Sequence, residues 1–122
     1  DYLQMVRNSG INVTTGTLGM AASMAGILLQ AGDTRWMGKE AWVLIHQASF
    51  GAIGTFGAVE DTVECVKKIQ ERILDIFAVR AAVKTGKSNK AVKALLSKNW
   101  KRRDWWISSD DCLRLGIVDE VR

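Results

Sequence analysis

A serine among small residues, a single histidine and a choice of carboxylates are the groups in this chain with the means for covalent chemistry. Ser23 lies in Gly19-Met20-Ala21-Ala22-Ser23-Met24-Ala25-Gly26, between a predicted strand and a predicted helix. A serine on a tight strand-to-helix turn exposes its hydroxyl at the helix N-terminus, and crowding there demands small residues two positions either side. Ala21 and Ala25 meet that demand where glycines are usual. The helix N-terminus also offers unpaired backbone N–H groups and the positive end of a dipole, which suit a developing oxyanion. Taken alone, the same stretch reads more plainly as a small-residue helix packed closely on a sheet, with Ser23 merely tolerated. A serine nucleophile needs a base that is neutral near pH 7, and imidazole is the usual one. His46 is the chain's one histidine. It sits at the end of an apolar strand, a common place for site residues in α/β folds; a lone surface histidine is the plainer alternative. An orienting carboxylate would complete the set, but spacing selects none of the thirteen acidic residues.

Other chemistry is less well supported. Ala81 to Ser88 reads A-A-V-K-T-G-K-S, close to the phosphate-binding loop G-x-x-x-x-G-K-[ST]. The first glycine is missing and the stretch leaves a helix rather than a strand, so a phosphate cradle is not expected. Two cysteines, Cys65 and Cys112, are too few and too far apart for a disulfide scaffold. They point to a reducing, cytoplasmic setting. With one histidine they do not make a structural zinc site.

The positioning elements follow from pattern. A chain of 122 residues with 48% apolar and 25% charged residues has the size and composition of one folded domain. Tyr2 to Ser9 reads as the end of a short helix closed by Gly10. Ile11 to Leu18 reads as a strand, Gly19-Met20 as a turn and Ala21 to Ala31 as a buried helix ended by Gly32. Arg35 to Met37 is a brief strand. Ala41 to Ile45 is a continuous apolar run, as in a strand buried on both faces. A flexible stretch with Gly51, Gly54 and Gly57 follows. Val59, Val63, Val66, Ile69, Ile73, Ile76 and Phe77 recur at three or four residues, which predicts a long amphipathic helix over 59–83. Thr85-Gly86 interrupts it and Lys90 to Ser97 continues as a short basic helix. Asp104-Trp105-Trp106 reads as a loop or short extended segment. Ser108 or Ser109 caps a last helix through Leu115, Gly116 stops it, and Ile117 to Val121 closes the chain as a strand. Strands alternating with helices predict an α/β fold.

The net charge is +4, and nine of the seventeen basic residues fall between Arg80 and Arg103 with no acid among them. A solvated helical face is the plainer reading, because no aromatic interleaving or binding motif accompanies the charge; nucleic acid is not an expected partner. No apolar run approaches the ~20 residues of a membrane span, and no secretory signal opens the sequence.

Three ordered blocks carry a resemblance. The string G-M-A-A-S-M-A-G-I-L-L-Q-A-G, then V-L-I-H-Q, then R-D-W-W-I-S-S-D-D-C-L-R-L-G-I-V-D-E-V resembles the proteolytic subunits of the Clp protease family. The resemblance covers nearly the whole chain. It implies a serine endopeptidase of the crotonase-like α/β fold, hydrolysing peptide bonds of unfolded polypeptides inside a self-compartmentalised assembly. Carried over by position, Ser23 is the nucleophile, His46 the general base and Asp104 the orienting acid, while Met24 offers a backbone N–H to the oxyanion. No cofactor or metal is implied in this subunit. Implied partners are peptide substrates, further copies of the chain in stacked, heptameric rings, and an AAA+ unfoldase; no membrane is implied. The expected domain is 1–122 without the family's N-terminal part, with a protruding handle over about 47–84.

The departures from the family pattern point to a divergent or phage-encoded, N-terminally truncated member. The family's upstream glycine pair, which supplies a second oxyanion donor, lies outside this sequence. Ala48-Ser49-Phe50-Gly51 stands where the family has proline and paired glycines. The region between His46 and Asp104 is longer than usual, with 87–103 the place for extra residues. These departures keep a non-catalytic structural subunit of a mixed ring in view as the alternative. An acyl-CoA enzyme of the same superfold is a lesser one, since its acidic catalysts find no place here.

Overall fold

The computed structural model describes residues 1–101 and 103–122. Helix α1 (Tyr2–Asn8) leads into β1 (Thr14–Thr17), β2 (Met20–Ala22), α2 (Met24–Leu29), β3 (Thr34–Met37) and β4 (Trp42–Ile45). The helical pair α3 (Phe56–Thr85) and α4 (Asn89–Trp100) comes next, then β5 (Trp105–Ser108), α5 (Ser109–Leu115) and β6 (Glu120–Val121). Two small sheets result. In one, β3 lies between β1 and β6 and all neighbours are parallel. In the other, β4 lies between β2 and β5, parallel to β2 and antiparallel to β5. Parallel neighbours need a crossover, and α2 supplies it for both β1–β3 and β2–β4. The mixed α/β class is the one the alternating pattern predicts, and it is consistent with the Clp protease fold.

Helix ends follow side-chain chemistry. Thr55, Ser88 and Ser108 accept hydrogen bonds from the N–H groups of Ala58, Ala91 and Asp111 at the starts of α3, α4 and α5. Of the two serines offered for the last cap, Ser108 is the one used. Gly86 and Gly116 take left-handed conformations, φ 72° and 79°, that close α3 and α5. At Gly116 the requirement is double, because a Cβ would lie 2.8 Å from the Ala81 carbonyl oxygen.

The core gathers Val43, Ile45 and Ile107 from one face of the β4–β5 pair against Leu74, Phe77, Ala78 and Ala81 of α3. Val92, Leu96 and Trp100 of α4, with Cys112, Leu115, Ile117 and Val118, complete it. Every fully buried residue of α3 lies between Leu74 and Ala82. The first half of this 30-residue helix, about 45 Å long at ~1.5 Å per residue, therefore extends past the core. Phe56 there is 79% exposed and Ile69 50%.

Several expectations change in detail, among them the closing strand expected over 117–121, which is only β6. The helix expected over 21–31 begins only at Met24, because Met20-Ala21-Ala22 pairs with Trp42-Val43-Leu44 as a strand; Met20 is thus in β2 and not in a turn. The strand expected over 11–18 shrinks to β1. Strand β4 is covered on one face only: Val43 and Ile45 are buried, while Trp42 is 45% exposed.

A buried polar cluster ties the first sheet to its helices. Arg35, 1% exposed, donates to both carboxylate oxygens of Asp119 at 2.7 and 3.1 Å and to Gln30 Oε1 at 2.7 Å. Arg80 of α3 donates to the carbonyls of Gln30, Gly32 and Asp33. In the basic stretch, Lys93 bridges Glu71 and Asp75 at 2.8 and 2.7 Å, and Lys90, Lys98 and Lys101 face solvent. Arg102 of that stretch lies outside the described residues. Among the described residues no helix is long and apolar enough to cross a membrane.

Candidate active site

The geometry of the second sheet brings three strand ends to one edge. Strands β2 and β4 are parallel with Ala22 beside Leu44, so the residues that follow them, Ser23 and then His46, leave the sheet on the same side. Strand β5 runs the other way with Trp105 opposite Ile45. Continuing that register by one residue sets Asp104, just before β5, across from His46. The sheet thus places Ser23, His46 and Asp104 at a common edge from distant parts of the chain.

Ser23 is held in a conformation that ordinary residues avoid. Its φ of 54° and ψ of −123° make it the one non-glycine with positive φ among the described residues. The turn drives the backbone from β2 straight into α2, and the side chain is left exposed at the helix N-terminus. Gly26 is buried where α2 meets the sheet and α3: a Cβ there would be in contact, at 3.4 Å, with both the Ala21 carbonyl oxygen and the Phe77 ring. Met24 is the first residue of α2, where a backbone N–H has no intrahelical acceptor.

Ser23 Oγ and His46 Nε2 are hydrogen-bonded. On the other side of the ring, His46 Nδ1 lies 2.7 Å from the Gln47 carbonyl oxygen. A carbonyl can only accept, so Nδ1 is the donor there; in the neutral ring that leaves the lone pair on Nε2, where it receives the Ser23 hydroxyl proton. That is the tautomer a general base needs. Asp104 is exposed and is not bonded to the imidazole. Serine and histidine are therefore joined, Asp104 stands across the register without touching the ring, and a main-chain carbonyl occupies the position expected of its carboxylate.

Two features escaped the sequence. Gln47 belongs to the I-H-Q block but contributes its carbonyl, which no side-chain pattern reports. Gln70 of α3 accepts a hydrogen bond from the Ala48 N–H at 3.1 Å, a contact across 22 positions that carries no motif. A cavity of about 450 Å³ lies against α1, β1 and α2, lined by Leu3, Thr15, Met20 and Leu28 among others; neither Ser23 nor His46 borders it. Cys65 is exposed and Cys112 buried, both as free thiols. Burial pushes the Cys112 thiol up to about 12, which leaves it unreactive. Among the described residues no cluster of three or more His, Cys, Asp or Glu side chains is suited to a metal ion.

Comparison with known proteins places the chain in a family. The Clp protease family model matches residues 1–122. An ATP-dependent Clp protease proteolytic subunit 2 of Tropheryma whipplei (strain Twist) is 32% identical over 124 residues, covering 100% of this chain and 62% of that protein. An ATP-dependent Clp protease proteolytic subunit 1 of Leifsonia xyli subsp. xyli (strain CTCB07) is also 32% identical over 124 residues, covering 100% of this chain and 57% of that protein. The chain spans about three fifths of the length of these curated relatives. With the family's blocks in order along the whole sequence and the match running from the first residue to the last, the chain belongs to the Clp protease family.

Proposed function

We propose that this chain carries the site of a Clp-type serine endopeptidase. The observation that supports it most is the Ser23–His46 hydrogen bond, made by a serine with positive φ to a histidine whose Nδ1 faces the Gln47 carbonyl. In the reaction, Ser23 Oγ attacks a peptide carbonyl carbon while His46 Nε2 takes the hydroxyl proton. The negative charge that develops on the carbonyl oxygen is met by the Met24 N–H at the start of α2; one such donor is typically worth ~10²–10³ in turnover. The imidazolium then gives its proton to the departing amine as the C–N bond breaks. Water, deprotonated by the same imidazole, releases the acid product and restores Ser23. Asp104, across the register from His46, contributes negative charge opposite the imidazolium.

The substrates on this reading are unfolded polypeptides, and the working form is a ring assembly of like chains served by an AAA+ unfoldase. The exposed apolar side of the first half of α3, with Phe56 and Ile69, fits a handle that packs between stacked rings. The alternative, a structural subunit without activity, draws on one observation: Asp104 is not bonded to His46.

Intact-mass measurement after treatment with a fluorophosphonate separates the two. One label on Ser23, absent in Ser23→Ala and in His46→Ala, is the expected result, with similar losses in both variants because such residues act as a unit. A folded protein that takes no label would refute the peptidase reading in favour of the structural one.

A further inference from the structure

We infer that Gln70, far along α3 from the reacting groups, is a positioning residue for His46 and acts through the Gln47–Ala48 peptide group. The inference rests on the peptidase reading, and it deepens it by assigning the group that orients the base. The carbonyl of Gln47 and the N–H of Ala48 belong to one peptide plane. No cis peptide bond occurs among the described residues, so the two groups point in opposite directions. On one side the carbonyl accepts the His46 Nδ1 proton at 2.7 Å. On the other the N–H donates to Gln70 Oε1 at 3.1 Å. The peptide is held at both ends, and turning its carbonyl away from the imidazole would break the bond to Gln70.

The surrounding chain supplies no other restraint. Residues 47–54 are exposed, have no regular structure and include Gly51 and Gly54. Among the described residues their backbone takes part in these two hydrogen bonds and no others. Gln70, by contrast, is half-buried in the middle of a continuous helix. A continuous line of hydrogen bonds therefore runs from Ser23 Oγ through the imidazole and the peptide to the Gln70 amide. Each bond in such a line polarises the next, so an N–H that is itself engaged makes its own carbonyl the better acceptor. Gln70 touches no substrate. Its effect is to keep the proton on Nδ1 and the lone pair of Nε2 on Ser23.

The test compares Gln70→Met, which keeps the size and loses the acceptor, with Gln70→Glu, which keeps an acceptor in place. Met is a good helix former at this site; should that variant misfold, Gln70→Ala makes the same comparison. Two readouts are taken on the full chain. The first is fluorophosphonate inactivation, resolved into reagent binding and the maximal labelling rate. The second is the ¹⁵N–¹H spectrum of the imidazole, unambiguous because the chain has one histidine. The expected result for Gln70→Met is a maximal rate about threefold to tenfold lower, the effect of one ordinary hydrogen bond. Reagent binding stays unchanged and the Nδ1 proton signal is lost to exchange with water, while Gln70→Glu retains both rate and signal. A Gln70→Met protein with the parent's rate and the parent's signal overturns the inference. So do equal losses in the Met and Glu variants, since the acceptor would then not matter. If the parent takes no label but its Nδ1 signal still depends on residue 70, the peptidase reading fails and the Gln70 linkage stands.

Discussion

Replacing Ser23 by glycine should give a more stable protein than replacing it by alanine, the reverse of the usual order. Both substitutions delete the hydroxyl and its bond to His46, so that loss cancels between them. Ser23 is exposed, so no cavity enters. What differs is the backbone. At φ 54° and ψ −123° an L-residue with a Cβ sits in a sparsely populated region that costs ~1–3 kcal/mol. Alanine keeps that cost and glycine does not. Against it, glycine's extra freedom in the unfolded chain costs ~0.4–1 kcal/mol. The midpoints of the two ranges leave about 1.3 kcal/mol in favour of glycine, or ~5 °C in Tm for a domain of this size. Urea unfolding of the two variants at one protein concentration, with equal m-values, measures it directly. An alanine variant as stable as the glycine variant would refute the claim that the turn is strained. With it would go the view that the fold holds Ser23 in a costly conformation in order to aim its hydroxyl. Neither variant should take a fluorophosphonate label.

Asp104→Asn should slow labelling of Ser23 by well under the ~10⁴-fold that loss of an orienting carboxylate typically costs, because the Gln47 carbonyl still fixes the tautomer. A loss of the full size in the labelling rate would mean that the carboxylate displaces that carbonyl during the reaction. Asp119→Asn leaves the buried Arg35 charge without its match and should cost about 3 kcal/mol in urea unfolding, near the lower end for a broken buried pair because the Asp119 side chain is 22% exposed. The same pair sets an acid limit on stability. Burial would raise the Asp119 carboxyl, but hydrogen bonds from the Arg35 side chain and backbone, with the charges of Arg35 and Arg80, hold it below its ordinary 3.8. A depressed carboxyl stabilises the fold above that ordinary value and loses its contribution as pH falls through the lower folded value. Parent stability should therefore drop below about pH 4, and the Asp119→Asn protein, followed by circular dichroism over the same range, should lose less.

Some of this molecule is legible in its sequence for local reasons. The cap at Ser108 and the glycine stops at 86 and 116 depend on residues within a turn of one another, so pattern finds them. The apolar spacing of α3 is likewise local, though its N-terminal reach to Phe56 is not, because the first three residues carry no repeat. Strand β2 was hidden since three residues are too few to alternate, and Met20-Ala21-Ala22 suits a helix as well as a strand. Its state is decided by a partner, Trp42-Val43-Leu44, on another strand. The exposed face of β4 is hidden for the same kind of reason: an apolar Trp42 does not report whether anything covers it. Ser23 and His46 could be singled out by residue type alone. The acid could not, and neither could the peptide and glutamine on the far side of the imidazole, because nothing in residue type or spacing announces a main-chain acceptor.

What relates His46 to Asp104 is strand register and not distance along the chain. Strands β4 and β5 are antiparallel neighbours, and such neighbours are commonly joined by a few residues. Here the connection is instead the whole excursion through α3 and α4, after which the chain returns to the register it left. Closing a longer connection costs little more than closing a shorter one, about 0.6 kcal/mol per doubling of length. The excursion offsets that cost by burying Leu74, Phe77, Ala78, Ala81 and Ala82 of α3 and Val92, Leu96 and Trp100 of α4 in the common core. A change in the length of this connection can thus be carried without moving either strand end. The first half of α3 is then free to extend beyond the core while Gln70, partway along it, still reaches back to the peptide that follows His46. One excursion between two paired strands accounts for both the protruding helix and the restraint on the peptide beside His46.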